Sequence, residues 1–346
     1  MKSPMTTLCY LEQDGKYLML HRIRKEVDVN KGKWIGVGGH FEAGESPEEC
    51  LLREVKEETG LELLHYVFRG IVTFIAEGWE TEYMCLYTAD KFCGELSECD
   101  EGELAWIPKE EIQSLNLWEG DRIFLKLLAQ EHPFFSLKLH YSGDKMTEAV
   151  LDGEPLELLD IRREDGSLTG EVRERSLVHE NGDIHGTSHV WIVRRTKTGE
   201  YEVLMQKRSS TKDSFPGCYD ISSAGHILAG SSYRTSALRE LSEELGVYAE
   251  PDSLKFAFMH MGRVETEFYG KPFKNAEISA VYVYDEDVDI SRMRLQREEV
   301  ESVCWVNYEQ ALEEIEKENR QGTYEKYCIF EEEFRQLGEW MREHLI

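Results

Sequence analysis

GHFEAGESPEECLLREVKEETGL, residues 39–61, and GHILAGSSYRTSALRELSEELGV, residues 225–247, are two versions of one pattern in a single chain. Each has a glycine-containing loop followed by an apolar-periodic run that ends Arg-Glu-x-x-Glu-Glu-x-Gly. The run predicts a helix over Pro47–Thr59 in the first copy and Tyr233–Leu245 in the second. Ser46 is a natural N-cap with Pro47 at the first helical position, and Gly60 is a natural C-cap. Glu54, Glu57 and Glu58 stand at i, i+3 and i+4 and so share one helix face. Like charges at this spacing destabilise a helix by roughly 0.2–0.5 kcal/mol per pair. A divalent cation offsets that repulsion, and hard oxygen ligands on one face suit Mg²⁺ or Mn²⁺. Arg53 stands beside the cluster, with Glu45 as its expected partner. Gly38, Gly39 and Gly44 let the loop backbone come close to metal and phosphate.

A lone Glu-x-x-Glu-Glu is most often a solvated helix face. Here Gly39, Glu45, Arg53, Glu54, Val55, Glu57, Glu58, Gly60 and Leu61 are all fixed at set intervals. At these positions the chain resembles the Nudix hydrolases. That resemblance implies two α/β/α sandwiches with mixed sheets, in tandem. It also implies helix carboxylates that hold Mg²⁺ and a further carboxylate that activates water against a diphosphate bond. Gly39 with Glu54, Glu57, Glu58 and Glu101 is then the expected metal set, and Arg53 shares the catalytic group. The second copy keeps Gly225, Arg239, Glu240, Glu243, Glu244 and Gly246, but Ser231 stands where the first has Glu45. Because Glu240, Glu243 and Glu244 are intact, a second metal-holding, catalytic site is expected. The alternative is a degenerate or regulatory second domain.

The chain has 346 residues, which fits two domains, and the doubled pattern divides it into residues 1–153 and 154–346. Its formal charge of −28, from 68 acidic and 40 basic residues, argues against a nucleic-acid polymer as partner. It leaves room for a small nucleoside polyphosphate, whose charge metals carry. The eight cysteines form no CxxC and no Cys/His ligand spacing, so zinc is not expected. No apolar run of membrane-spanning length and no leader pattern is visible, so a soluble cytoplasmic protein with reduced thiols and no membrane partner is expected. A homodimer stays open.

In the first half, strands are expected over Met5–Leu11, Tyr17–Arg22, Phe68–Ala76 and Tyr83–Ala89, with a turn at Asp14-Gly15. Lys109–Ser114 reads as a short helix and Arg122–Ala129 as a longer one, opened by Trp118-Glu-Gly-Asp121. Phe134–Tyr141 and Thr147–Leu151 read as a closing strand pair. The Gly32-Lys-Trp34 stretch, the Leu117–Asp121 stretch and the closing pair resemble one Nudix branch, the 8-oxo-dGTP diphosphatases. There a tryptophan stacks on the purine and an Asp reads its edge. Trp118 and Asp121 match those positions, with Gly38 beside the substrate. Gly120 and Ile35 depart from the branch, where an Asp and an Asn stand. Glu101, five residues before Trp106, matches the additional carboxylate; read alone it belongs to a solvated acidic run.

In the second half, strands are expected over Val190–Arg194, Glu202–Lys207, Phe256–Val264, Glu277–Tyr284 and Val303–Val306. Helices are expected over Tyr308–Asn319 and Tyr324–Leu345. His185 six residues before Trp191, Lys212 and Pro216 in the loop, and Asp220–His226 make this half similar to the Nudix branch of isopentenyl-diphosphate isomerase. That branch carries a catalytic Cys where this chain has Ala224, so a hydrolase on the same scaffold is the preferred expectation. Glu277 matches the isomerase's catalytic glutamate, and His226 joins it as a substrate-binding expectation. The resemblance also implies a metal set of His179, His185, His226 and Glu277. Read alone, these histidines are hydrogen-bonding strand-end residues. The extra carboxylate here is Glu298 or Glu299.

The function these residues imply is Mg²⁺-dependent hydrolysis of a purine nucleoside triphosphate such as 8-oxo-dGTP to the monophosphate and pyrophosphate. This would act in nucleotide-pool sanitation. The rivals are a broad nucleoside-diphosphate-sugar or alcohol-diphosphate hydrolase, and a second half that senses a ligand or isomerises isopentenyl diphosphate.

Overall fold

Two compact units make up the chain. The structure, a computed structural model, describes residues 4–24 and 28–345, and the side chains of all of these but 271 and 272. The first unit runs through Leu158 and includes Val172–Glu174; the second comprises Leu159–Glu171 and Arg175–Ile346. All eight cysteines are free thiols.

The first unit is built from β1 (Met5–Gln13), β2 (Lys16–His21), β3 (Trp34–Ile35), α1 (Pro47–Thr59), β4 (Glu62–Ala76), β5 (Glu82–Cys93), β6 (Glu103–Pro108), a 3₁₀ turn (Lys109–Ser114), α2 (Glu119–Ala129), β7 (Phe135–Ser142), β8 (Lys145–Leu151) and β9 (Glu154–Pro155). The sheet runs β3-β2-β1-β5-β4-β7-β8-β9, with β6 also paired to β2. It is mixed: β1 pairs β5 and β4 pairs β7 in parallel, and the other pairs are antiparallel. Asp14 and Gly15 both take positive φ, 51° and 73°, the conformation that a two-residue hairpin needs between β1 and β2.

Alternation along β1 creates the layers. Cys9 and Leu11 face α1, packing with Leu51 and Val55. Tyr10 points the other way and meets Phe124 of α2 at 6.0 Å between ring centres. Helix α1 begins as its sequence predicts. The Ser46 hydroxyl accepts from the Glu49 N–H at 3.2 Å, and the Glu49 carboxylate accepts from the Ser46 N–H at 2.8 Å. It ends at Gly60, φ 76°.

Apart from Leu158 and Val172–Glu174, the second unit is built from β10 (Leu158–Arg162), β11 (Leu168–Glu174), α3 (Arg175–Asn181), β12 (Ile184–Arg195), β13 (Tyr201–Arg208), β14 (Tyr219–Asp220), β15 (Ser223–His226), α4 (Tyr233–Leu245), β16 (Lys255–Phe268), β17 (Lys271–Tyr284), β18 (Val300–Asn307), α5 (Tyr308–Gln321) and α6 (Glu331–His344). Its main sheet runs β14-β13-β12-β17-β16, with β15 on β12 and β18 on β13. Here β12 divides the layers. Val190 and Ile192 pack with Ala237, Leu241 and Leu245 of α4. Trp191 and Val193 pack with Ala311 and Ile315 of α5 and with Phe334, Leu337 and Met341 of α6.

The expected helix over Tyr324–Leu345 starts seven residues late, at Glu331. Its first part is claimed by the sheet: Tyr327 bridges Tyr219 in parallel, with the Tyr219 N–H donating to the Lys326 carbonyl at 2.7 Å and the Cys328 N–H to the Tyr219 carbonyl at 3.0 Å. Tertiary pairing overrides the local charge pattern there. Phe334 is fully buried in the α5–α6 layer. Phe334→Ala should therefore cost about 3–5 kcal/mol of stability, read by chemical denaturation with the second unit's signal.

Candidate active sites

The carboxylates of α1 lie against the backbone of the preceding loop. A Cβ placed on Gly39 would sit 2.5 Å from the Glu54 carboxylate, so that carboxylate occupies the space a side chain at residue 39 would take. Glu58 is buried, and its Oε2 accepts from the Gly38 N–H at 2.8 Å. Arg53 gathers the rest. Its Nε and Nη2 grip Glu45 at 2.6 and 2.8 Å, Nη1 reaches Glu54 at 2.7 Å and Glu57 at 3.2 Å, and Nη2 also donates to the His40 carbonyl at 3.0 Å. The Arg53 fork, with the Glu42 N–H behind it, holds the Glu45 carboxyl down at about 2.

The second unit repeats the arrangement. A Cβ on Gly225 would collide with the Glu240 carboxylate. Glu244 is buried, and its Oε2 accepts from the Ala224 N–H at 3.2 Å. Burial first, then the neighbouring Glu240, pushes the Glu244 carboxyl up to about 8. Arg239 reaches Glu243 at 2.9 Å, and it also pairs with Glu240 and the His226 carbonyl. Ser231 supplies no carboxylate, so this arginine lacks the bidentate brace that Glu45 gives Arg53.

One cavity of about 560 Å³ in the first unit is lined by residues that include Gly38, Gly39, Glu54, Glu101, Trp118 and Asp121. Trp118 is only 5% exposed. Its indole N–H donates to Asn30 Oδ1 at 2.9 Å, its ring packs edge-on to Phe74 and Tyr141, and the Lys33 ammonium lies 4.3 Å from the ring centre. Asp121, in the first turn of α2, is 6% exposed. Burial pushes its carboxyl up to about 8, against the pull of Lys33 and Arg122. Gly120 has a packing reason: a side chain there would strike Leu139 and come within 2.8 Å of the Tyr141 hydroxyl, which accepts the Gly120 N–H at 2.7 Å. Ile35 lines the cavity. Glu101 is paired with Arg22, so it is not the simply solvated acid its neighbours suggest.

Glu54 and Glu101 thus share one cavity, whereas Glu57 is largely exposed and turned to Arg53. Among the described residues, the tightest group of metal-ligating atoms lies elsewhere. His179 of α3, His185 of β12 and His226 of β15 bring one ligand atom each within 4.8 Å of one another. His185 is fully buried; its Nδ1 faces the Asp183 carbonyl at 3.0 Å and its Nε2 has no hydrogen-bond partner among the described residues. Burial lowers the pKa of His185 and, further, of His226, which favours neutral, ligand-competent imidazoles. The strand-end reading of these histidines fails for His179, which is helical. No ligand spacing was visible in the sequence because the three come from separate elements.

Glu277 neighbours His185 across the parallel β12–β17 pair. It takes a hydrogen bond from Asn275 at 2.9 Å and lies 3.6 Å from His189 Nε2. His189 and Glu333 escaped the sequence reading. The two pair at 2.9 Å in the interior, and the Trp191 indole N–H donates to the same carboxylate at 2.9 Å. Burial alone would lower the His189 pKa, but Glu333 and then Glu277 raise it to about 9. Glu299, one candidate for the extra carboxylate, is paired with Lys212.

The family description "NUDIX domain" matches residues 2–128 and 185–327. The chain belongs to the Nudix family. It is 40% identical over 165 residues to Nudix hydrolase 3 of Arabidopsis thaliana, covering 47% of this chain and 21% of that protein. It is 31% identical over 154 residues to the oxidized purine nucleoside triphosphate hydrolase of Danio rerio, covering 43% of this chain and 95% of that protein. A solved structure of the MutT protein from Bacillus halodurans is similar at 28% identity and a TM-score of 0.40, over 44% of this chain and 99% of that one. The chain spans about a fifth of the length of the Arabidopsis relative and 66% of an uncharacterized Clostridium acetobutylicum Nudix hydrolase. Nudix hydrolases generally use divalent metal cations. No described helix of this Nudix protein is long and apolar enough to cross a membrane.

Two outcomes follow from this geometry. Gly39→Ala should push the Glu54 carboxylate aside and weaken Mn²⁺ binding, measured by equilibrium dialysis, without unfolding the first unit. The His189–Glu333 pair stabilises the second unit fully below the ordinary histidine pKa of 6.5 and ceases to do so as pH rises through about 9. Denaturation midpoints should fall across that window, and Glu333→Gln should flatten the fall.

Proposed function

We infer that the first unit hydrolyses a purine nucleoside triphosphate, with oxidised guanine as the favoured base, to the monophosphate and pyrophosphate. The observation that carries this is the one cavity holding Glu54 and Glu101 together with Trp118 and Asp121. One end suits a polyphosphate and the other a flat base. A neutral Asp121 carboxyl offers both an O–H donor and a C=O acceptor to a purine edge, which a carboxylate cannot. Stacking contributes roughly 1–3 kcal/mol per base, and an ammonium over a desolvated ring about 2 kcal/mol or more, so a purine would compete with Lys33 for Trp118 on near-equal terms.

The donor set fits Mg²⁺ or Mn²⁺: carboxylate oxygens of Glu54 and Glu58 beside a loop whose glycines leave room for them. A bound ion would neutralise the diphosphate oxygens and lower the pKa of a water. Arg53 fixes the carboxylate side chains, and Glu101 or one of the helix glutamates takes the water's proton. The Danio rerio relative, by its name, acts on oxidised purine nucleoside triphosphates, which supports the same substrate class here.

The second unit, on the intact Glu240, Glu243 and Glu244 and on the converging histidines, is read as a second metal-dependent diphosphate hydrolase. Imidazole nitrogens favour Mn²⁺ or another transition ion over Mg²⁺ at the histidine group. His185→Ala should lower the Mn²⁺ bound per chain while leaving turnover by the first unit intact.

The deciding assay compares Mg²⁺-dependent pyrophosphate release from 8-oxo-dGTP and dGTP by the whole chain and by Glu57→Gln. Preference for the oxidised base, lost with the carboxylate, is expected; equal or absent turnover points to sugar or alcohol diphosphates instead. Specificity for the base should decline as pH rises through about 8, where Asp121 ionises. Asp121→Asn, which stays neutral, should lose that decline.

A further inference from the structure

We propose that Trp79, on the turn between β4 and β5, is a specificity-determining residue of the first cavity, whose indole face receives the base. The proposal rests on the hydrolase reading of that cavity. Two of the residues lining it are tryptophans, Trp79 and Trp118, and they differ in what a ligand can reach. Trp118 is 5% exposed, its N–H is taken by Asn30, and Phe74 and Tyr141 pack edge-on to its ring. The Lys33 ammonium lies 4.3 Å from its ring centre, so a base must displace a cation to stack there. Trp79 is 53% exposed, and among the described residues no other aromatic ring and no cation packs on it. A base stacking on Trp79 displaces only water, so it keeps the whole of the stacking energy.

The hairpin brings this indole next to Trp118. Phe74, whose ring meets that of Trp118 at 5.6 Å, pairs with Glu82 across β4 and β5. Paired residues share a face of the sheet, and Phe74, Glu82 and Met84 all line the cavity. The turn of residues 77–81 therefore continues directly from the lining face. Gly78, φ 84°, lets the chain reverse there, and the Trp79 N–H donates to the Ala76 carbonyl at 3.1 Å. The Trp79 backbone is thus anchored while its side chain is left unpacked. A single exposed aromatic is ordinary on a protein surface, but this one lies in the wall of a cavity. Its neighbours in that wall say which part of a ligand it meets. Glu80 and Glu82 also line the cavity, and neither pairs with a cation among the described residues. Two uncompensated carboxylates repel a polyphosphate and accept hydrogen bonds from N–H groups. The part of a nucleotide that suits this stretch is the base.

The test measures kcat and KM of the whole chain for the better of 8-oxo-dGTP and dGTP, and the Kd of the matching monophosphate by titration calorimetry. Native protein, Trp79→Ala and Trp79→Phe are compared, with melting curves to check folding. Trp79→Ala should raise KM and the monophosphate Kd roughly tenfold, with a much smaller change in kcat. Trp79→Phe keeps an aromatic face and should recover most of both. Melting midpoints should coincide, because the indole packs on no other ring. An unchanged KM and Kd in Trp79→Ala, or a loss that Trp79→Phe does not recover, overturns the stacking role while leaving the hydrolase reading intact. Native protein that turns over neither nucleotide overturns both.

Discussion

Everything at the two candidate sites depends on a glycine backbone lying against a carboxylate. Gly39 against Glu54 and Gly225 against Glu240 are contacts that any Cβ would prevent. They hold an acidic helix face at a loop rather than in open solvent. The repulsion this builds up is partly offset by one arginine per helix, placed beside the carboxylates rather than among them. The rest of each unit serves that contact. The caps fix where the helix begins and ends, and the apolar stripe of α1 or α4 fixes which face turns to the loop.

The two copies relieve the same crowding differently. In the first, Glu45 takes two arms of Arg53 and locks the guanidinium before it meets Glu54 and Glu57. In the second, Ser231 cannot do so, and Arg239 is spent on Glu240, Glu243 and a carbonyl. The second unit has invested instead in buried histidines and in a carboxylate brought by α6. A fully buried Glu333 is tolerable because it has both an imidazole and an indole N–H to satisfy it.

Both metal-type helices were legible in the sequence to the residue, because cap, apolar period and terminal glycine agree there. Strand β7, where burial alternates, reads as Phe134–Tyr141 and lies at Phe135–Ser142, whereas β12, buried along most of its length, reads as a strand only over Val190–Arg194 and begins six residues earlier, at Ile184. The late start of α6 was not legible, since local charge pattern does not reveal that Tyr219 and Tyr327 bridge. Trp118 and Asp121 were visible as residues, but their burial and the asparagine behind the indole were not. The histidine group was visible only by resemblance, because no interval in the chain links a helix, a strand and a neighbouring strand. His189 with Glu333 could not have been found at all: 144 positions separate them.

Burial gives the first cavity its chemical asymmetry. Asp121 lies where desolvation outweighs two nearby cations, which pushes its carboxyl up to about 8. Glu101 and Asp28 lie where one guanidinium reaches both, so each carboxylate has a cationic partner. The same residue class is thus held toward its neutral form at Asp121 and ion-paired at Asp28 and Glu101. On the proposed hydrolase reading, a triphosphate would meet a hydrogen-bond donor at Asp121. On the same reading it would meet the negative charge of Glu54, beside which a cation would be held. That division needs no motion of the sheet, only a cavity whose two walls differ in access to water and to a single arginine.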